Sequence, residues 1–150
     1  MAYAHGKSSV FKIDDSGGTL RDISDYLDTV DFPYGAEPAD VTGMGGTAVK
    51  SYVMGLADGT FSIGGSWNDA ATTGVDTVLG PIAMSYNGCT SAGGSLSYEY
   101  GPEGDGNGDV KYSGECYLTG YTVNSPVAGR VSFSATFQLT GAVTRGTFTA

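Results

Sequence analysis

The residues able to do chemistry are few. The chain has one histidine, His5, and two cysteines, Cys89 and Cys116. A nucleophilic triad needs a histidine held by rigid neighbours between an acid and a nucleophile. His5 lies in an N-terminal stretch, "MAYAHGK", that reads as a loose arm over residues 1–7 and offers nothing to hold it. Zinc needs about four ligands around a closed tetrahedral site, and two distant cysteines with one remote histidine do not supply them. Neither "GMGG" nor "SAGG" has the lysine or the strand-to-helix setting of a phosphate-binding loop.

"GPEGDGNGDVKYSGE" is the best remaining candidate for chemistry. Asp105, Asn107 and Asp109 alternate as at the start of a calcium loop. Val110 stands where such a loop has its turn glycine, however, and Cys116 stands where it has its bidentate glutamate. The same Gly and Asn spacing serves a plain hairpin turn. Glu99, Glu103 and Glu115 lie on neighbouring predicted strands and are the acids that a glycoside hydrolase would pair. Trp67 could stack on a sugar, but it falls in phase with Phe61 and Ile63, as a core residue would. No catalytic, cofactor-binding or metal site emerges, and no cofactor is expected.

Composition sets the class. The 150 residues include 25 glycines, 10 tyrosines and 6 phenylalanines, and the formal net charge is −9. Glycine, Ser/Thr and aromatics together indicate an all-β domain with many turns. An acidic surface repels phosphates, which argues against nucleic-acid binding through a basic patch. No apolar h-region opens the chain and no run is long enough for a membrane span, so two free, buried thiols in a soluble cytoplasmic protein are expected.

The pattern along the chain predicts a single domain over 1–150. A strand at Ser9–Ile13 is followed by a helical turn near 20–26 and a strand from 28 to 34. A long unpatterned loop covers 35–57. A strand "TFSIGGSW" leads to one helix over "NDAATTGVDTVLG", capped by Asn68 or Asp69 and stopped by Gly80-Pro81. Its apolar stripe is Ala71, Val75, Val78 and Leu79. "PIAMSY", "GSLSYEY", "DVKYSGECYLTGYTV" and "GRVSFSATFQLTG" read as strands. "TRGTFT" reads as a separate last one, and "NSPVAG" as the turn between the two longest. The fold expected is a β-sandwich or partly closed barrel with one flanking helix.

Two features point beyond a monomer. "RVSFSATFQLTG" sets Val131, Phe133, Ala135, Phe137 and Leu139 against an uncharged face of Ser132, Ser134, Thr136 and Gln138, with none of the charges that usually guard a free strand edge. The 35–57 loop is too apolar for a solvated linker. Val41, Met44, Val53, Met54 and Leu56 within it are expected to meet another subunit. Both features fit strands that pair around a ring of copies, so that edges vanish.

The stretches "LRDISDYLDTVDFP", "ADVTGMGGTAVKSYVMGLADGTFSIGGSWN" and "YLTGYTVNSPVAGRVSFSATFQLTGAVTRGTF" resemble the tail tube (major tail) proteins of long-tailed bacteriophages. The shared order is an I-S-x-Y-L start, a V-T loop, a G-L-x-D turn and a terminal F-S-A-T-F-Q-x-T-G, spanning nearly the whole chain. The resemblance implies a structural virion protein whose six copies form a ring, with rings stacked into a hollow tube and one sheet per copy in a continuous barrel. Ser132, Ser134, Thr136 and Gln138 become possible lumen-lining residues. DNA would pass without specific binding, and about −54 charges per six-copy ring would keep phosphates off the wall. The partners implied are sister copies and the tape measure, tail terminator and tail tip proteins, in a virion tail assembled in the host cytoplasm. The alternatives are a tail terminator, a capsid decoration protein, or a carbohydrate- or calcium-binding module.

Overall fold

The computed structural model describes residues 3–45, 49–85 and 94–149. Its strands are β1 (Val10–Asp14), β2 (Leu20–Asp22), β3 (Leu27–Asp31), β4 (Gly35–Asp40), β5 (Tyr52–Asp58), β6 (Thr60–Ser66), β7 (Leu96–Gly101), β8 (Val110–Asn124) and β9 (Ser132–Thr147), with one helix, α1 (Val75–Met84). Seven strands form one antiparallel sheet in the order β2-β1-β7-β8-β9-β6-β3, and β4 and β5 pair apart from it.

The long sheet folds over on itself because β8 changes neighbours along its length. Its first half pairs with β7, from Tyr112↔Tyr100 to Cys116↔Leu96. Its second half pairs with β9 alone among the described residues, as far as Asn124↔Ser132. One layer is therefore β2, β1, β7 and the start of β8, and the other is the end of β8 with β9, β6 and β3. Phe61 on β6 shows how the layers meet. It packs 5.7 Å from the Phe11 ring of β1, 5.0 Å from Tyr98 of β7, and stacks on Phe137 at 4.8 Å. β6 is a ladder neighbour of neither β1 nor β7, so these rings bridge the two layers. Ile13, Ile63, Leu96, Cys116, Phe133 and Ala135 fill the rest of the space between them. This is the predicted sandwich, curled but not closed into a barrel.

The helix differs from the prediction at both ends. Thr72 adopts a left-handed φ of 75°, so residues 71–74 form a turn and α1 starts only after Gly74. Asn68 still acts locally, its Oδ1 accepting the Ala70 N–H at 2.7 Å, and Ala71 is exposed. At the far end Gly80-Pro81 does not stop the helix; Pro81 lies inside it. Ile82 explains why. Val75, Val78, Leu79 and Ile82 recur at i, i+3, i+4 and i+7, and all four are buried. That burial outweighs one lost backbone hydrogen bond. "PIAMSY" is consequently not a strand: Pro81–Met84 are helical, and Tyr86 lies outside the described residues.

Four further expectations change. Between residues 20 and 26 a three-residue strand precedes a single 3-10 turn, Ser24–Tyr26, and β3 ends at Asp31, short of Tyr34. The last strand is continuous: β9 runs for 16 residues through Gly141, whose φ of 76° kinks the chain without ending the ladder. The 35–57 segment is mostly a strand pair. Its pattern is faint in sequence because neither face is covered, so little imposes a period of two.

Glycine at 65 lets β3 approach β6. A Cβ there would sit 2.1 Å from the Tyr26 carbonyl oxygen and 2.8 Å from Leu27 Cα. Any side chain would push the edge strand off the sheet.

Candidate assembly surfaces

The outward side of the β8-β9-β6-β3 layer carries hydroxyl groups and almost no charge. Ser134 and Thr136 are exposed, and Ser132 and Gln138 are half-buried at its ends. Across the ladders they face Ser66, Gly64, Ser62 and Thr60 of β6, and Thr122 and Gly120 of β8. One row reads Thr29, Gly64, Ser134, Thr122 across all four strands. Charges stand only at the margins. At one end Arg130 pairs with Asp28 and donates to Ser66 Oγ at 2.6 Å. At the other, Gln138 Nε2 donates to Asp58 Oδ1 at 2.7 Å, with Asp31 and Glu115 nearby in register. The acids behind the net charge of −9 thus lie largely off this face.

The second surface is the β4–β5 hairpin. Its ladder runs from Gly35↔Asp58 to Asp40↔Tyr52, and neither strand pairs with any other described strand. Val41 N–H donates to the Ser51 carbonyl at 2.9 Å, and Ser51 N–H to Thr42 Oγ1 at 2.7 Å, which closes the pair above the ladder. Every residue of β5 is exposed, and in β4 only Ala36 is half-buried. A two-stranded hairpin alone is marginal in water, yet this one carries a row of apolar side chains. Met44 and Leu56 are essentially bare at 105% and 92% exposure, Met54 follows at 68%, and Val41 and Val53 are more than half exposed. The sequence singled out these five for the contact and also counts Val49 and Tyr52 among the apolar groups of the same loop; Tyr34, just before it, is exposed beside them and was missed. The alternation of Tyr52, Met54 and Leu56 was the signal available for a strand. Gly59 pins the hairpin base, since a Cβ there would lie 2.5 Å from the Pro33 carbonyl oxygen.

The other sequence candidates are dispersed. His5 is exposed and its Nδ1 accepts the Lys7 N–H at 3.1 Å. Asp105 pairs with Lys12, and Asp109 accepts the Gly106 N–H at 2.9 Å, as a hairpin turn does. Asn107 is exposed in the same turn. Glu99 pairs with Lys111, Glu103 accepts the Val110 N–H, and Glu115 accepts the Ser95 hydroxyl. No group of three acidic, His or Cys side chains among the described residues could hold a metal. Trp67 packs half-buried against the core. Cys116 is a free, buried thiol, pushed well up by desolvation and so unreactive; Cys89 lies outside the described residues. No described helix is long and apolar enough to cross a membrane.

Among the described residues, the β8-β9-β6-β3 layer has no strand partner along either of its two outer edges. β3 pairs with β6 on one side only, and a cleft of about 400 Å³ opens along its other side toward β1. Beyond Cys116, β8 has no described strand on its β7 side, and no described backbone hydrogen bond leaves residues 117–124 in that direction.

No protein-family model and no curated protein matches the chain. Solved structures do. A chain in the tail of an empty gene transfer agent particle, refined helically with C6 symmetry, is similar over 99% of this chain and 100% of its own, with 20% identity and a TM-score of 0.72. A chain of the native gene transfer agent virion covers 96% of this chain and 99% of its own, at 18% identity and TM-score 0.74. The SPP1 tail tube matches over 99% of this chain and 81% of its own, at 10% identity and TM-score 0.68. The fold is therefore that of phage tail tubes, as the sequence resemblance implied.

Proposed function

We propose that this protein is the structural subunit of a tail tube. Copies pack side by side into rings, most simply of six, and rings stack into a hollow cylinder in a virion tail. The hydroxyl face of β8, β9, β6 and β3 lines the channel, and DNA passes along it without being held. The observation that carries the reading is the β4–β5 hairpin: on a tail-tube fold, a strand pair with bare methionine and leucine side chains has no cover among the described residues. Val41, Met44, Val53, Met54 and Leu56 would find that cover on a neighbouring copy, burying apolar area that the monomer leaves in water. The tape measure, tail terminator and tail tip proteins are the further partners such a cylinder requires, and the host cytoplasm is its place of assembly. The role is structural and involves no catalysis.

The test is negative-stain microscopy and sedimentation of the purified chain over rising concentration, alone and with a tail-tip complex as nucleus. Long hollow cylinders are expected. Compact single particles under every condition would overturn the proposal, and rings that never lengthen would mark a terminator instead.

A further inference from the structure

The loop between β7 and β8 lies apart from both assembly surfaces and ends in a tight turn over residues 106–109. There the Asp109 N–H donates to the Gly106 carbonyl at 3.0 Å, and Gly108 takes a left-handed φ of 93°. Asn107 is exposed in the turn and is followed directly by Gly108. We infer that Asn107-Gly108 is a site of spontaneous deamidation through a cyclic imide, and that Phe148, just beyond β9, is the latch that holds this site closed. The inference is independent of the tube reading.

The reaction needs only water. The Gly108 amide nitrogen gives its proton to hydroxide and attacks Cγ of Asn107. The new N–Cγ bond closes a five-membered imide, the Cγ–Nδ2 bond breaks, and the side-chain nitrogen takes a proton from water and leaves as ammonia. Water then opens the imide at one of its two carbonyls. One opening gives aspartate; the other gives isoaspartate, in which the main chain runs through Cβ. Each product adds a carboxylate. Exposure of Asn107 favours the step, and so does glycine, which has no Cβ to shield the attacking nitrogen.

The fold opposes the step at the attacking atom. The Gly108 N–H donates to the Phe148 carbonyl at 2.9 Å, and the Phe148 N–H donates to the Asp109 carbonyl at 2.9 Å. An amide proton held by a carbonyl is harder to remove, and a turn pinned by both bonds resists the rotation that brings nitrogen to Cγ. Phe148 is itself well seated. Its ring is buried and lies so close to Gly101 that a Cβ there would be 2.7 Å from Cε2. Lys12 Nζ and Lys111 Nζ each stand 5.4 Å from the ring centroid. The two lysines are held in turn by Asp105 and Glu99. Freeing the Gly108 amide therefore means lifting Phe148 from this seat, a local opening that leaves the sandwich core in place.

Peptide mapping by mass spectrometry, with isoaspartate separated from aspartate, reads the site in the full chain held in mildly alkaline buffer. Asn107 should convert more slowly in the folded chain than in the same chain unfolded in urea, by about tenfold or more. Phe148→Ala, checked for folding by circular dichroism, should raise the folded-state rate at Asn107 by about tenfold. The other asparagine–glycine pair, Asn87 and Gly88, should keep the parent's rate in that variant. Equal rates at Asn107 in folded and unfolded chains would overturn the inference. So would a folded variant that is no faster than the parent, or one that speeds both pairs alike. If the variant does not fold, amide exchange on the unmodified chain decides: Gly108 should be protected by about tenfold or more, and an unprotected Gly108 would overturn the latch.

Discussion

Replacing Met54 and Leu56 together by serine separates assembly from folding. In the single chain the two side chains are 68% and 92% exposed, so their removal takes nothing from the core. In a tube they would be covered. Fully burying a leucine or methionine stabilises by about 1.5–3 kcal/mol. Scaled by the area each still has to lose, this gives about 2 kcal/mol for Leu56 and about 1.5 kcal/mol for Met54. About 3.5 kcal/mol per subunit corresponds to a factor of about 300 in the concentration at which polymer appears. Light scattering against concentration measures that threshold, and circular dichroism during heating measures the monomer. The expected result is a threshold raised by about 300-fold with an unchanged monomer Tm. A threshold within about threefold of the parent's, or a clear fall in Tm, would refute the reasoning, because the side chains would then be idle or would belong to the fold.

Other expectations follow from the same structure. Lysine at both Ser134 and Thr136 should leave tube length unchanged under the microscope and slow DNA passage in an ejection assay, by giving phosphates a cation to pair with. Deleting residues 43–54 should leave a folded monomer by circular dichroism and no tubes. Gly65→Ala should cost about 1–3 kcal/mol in a urea titration, since the added methyl displaces β3 from β6. Asp14 is buried, and desolvation above all holds its carboxyl above the ordinary 3.8, against the Ser97 N–H that it accepts. The folded chain thus binds that proton more tightly than the unfolded one. Asp14 therefore costs the native state stability as pH rises from about 3.8 through its folded value. Asp14→Asn should flatten that part of the Tm–pH curve relative to the parent and raise Tm at neutral pH.

What the sequence revealed depended on burial. β6 and the first half of β9 were legible because Phe61 and Ile63, and then Phe133, Ala135 and Phe137, each sink into one core while their neighbours stay out. The hairpin was not, because a strand pair in solvent on both faces imposes no alternation on "GAEPAD". Only Tyr52, Met54 and Leu56 hint at it. The end of α1 was misread because Gly80-Pro81 is a stop signal locally, whereas Ile82 finds its partners only in the assembled core. Gly141 looked like a terminus for the same reason: its left-handed backbone is a turn signal, and the ladder that carries on past it is a long-range fact. The three hydroxyl residues of β9 and Gln138 were readable as one face; that the face continues across β6 and β8 required the registers.

The change of neighbours along β8 also shapes how the domain comes apart. That one strand is hydrogen-bonded into one half of the sandwich at its beginning and the other at its end, with β9 laid along both portions. Neither half can peel away without tearing the shared ribbon. Unfolding should be a single cooperative event, seen together by tyrosine and tryptophan fluorescence and by the backbone signal. A subunit built this way bears load as one block.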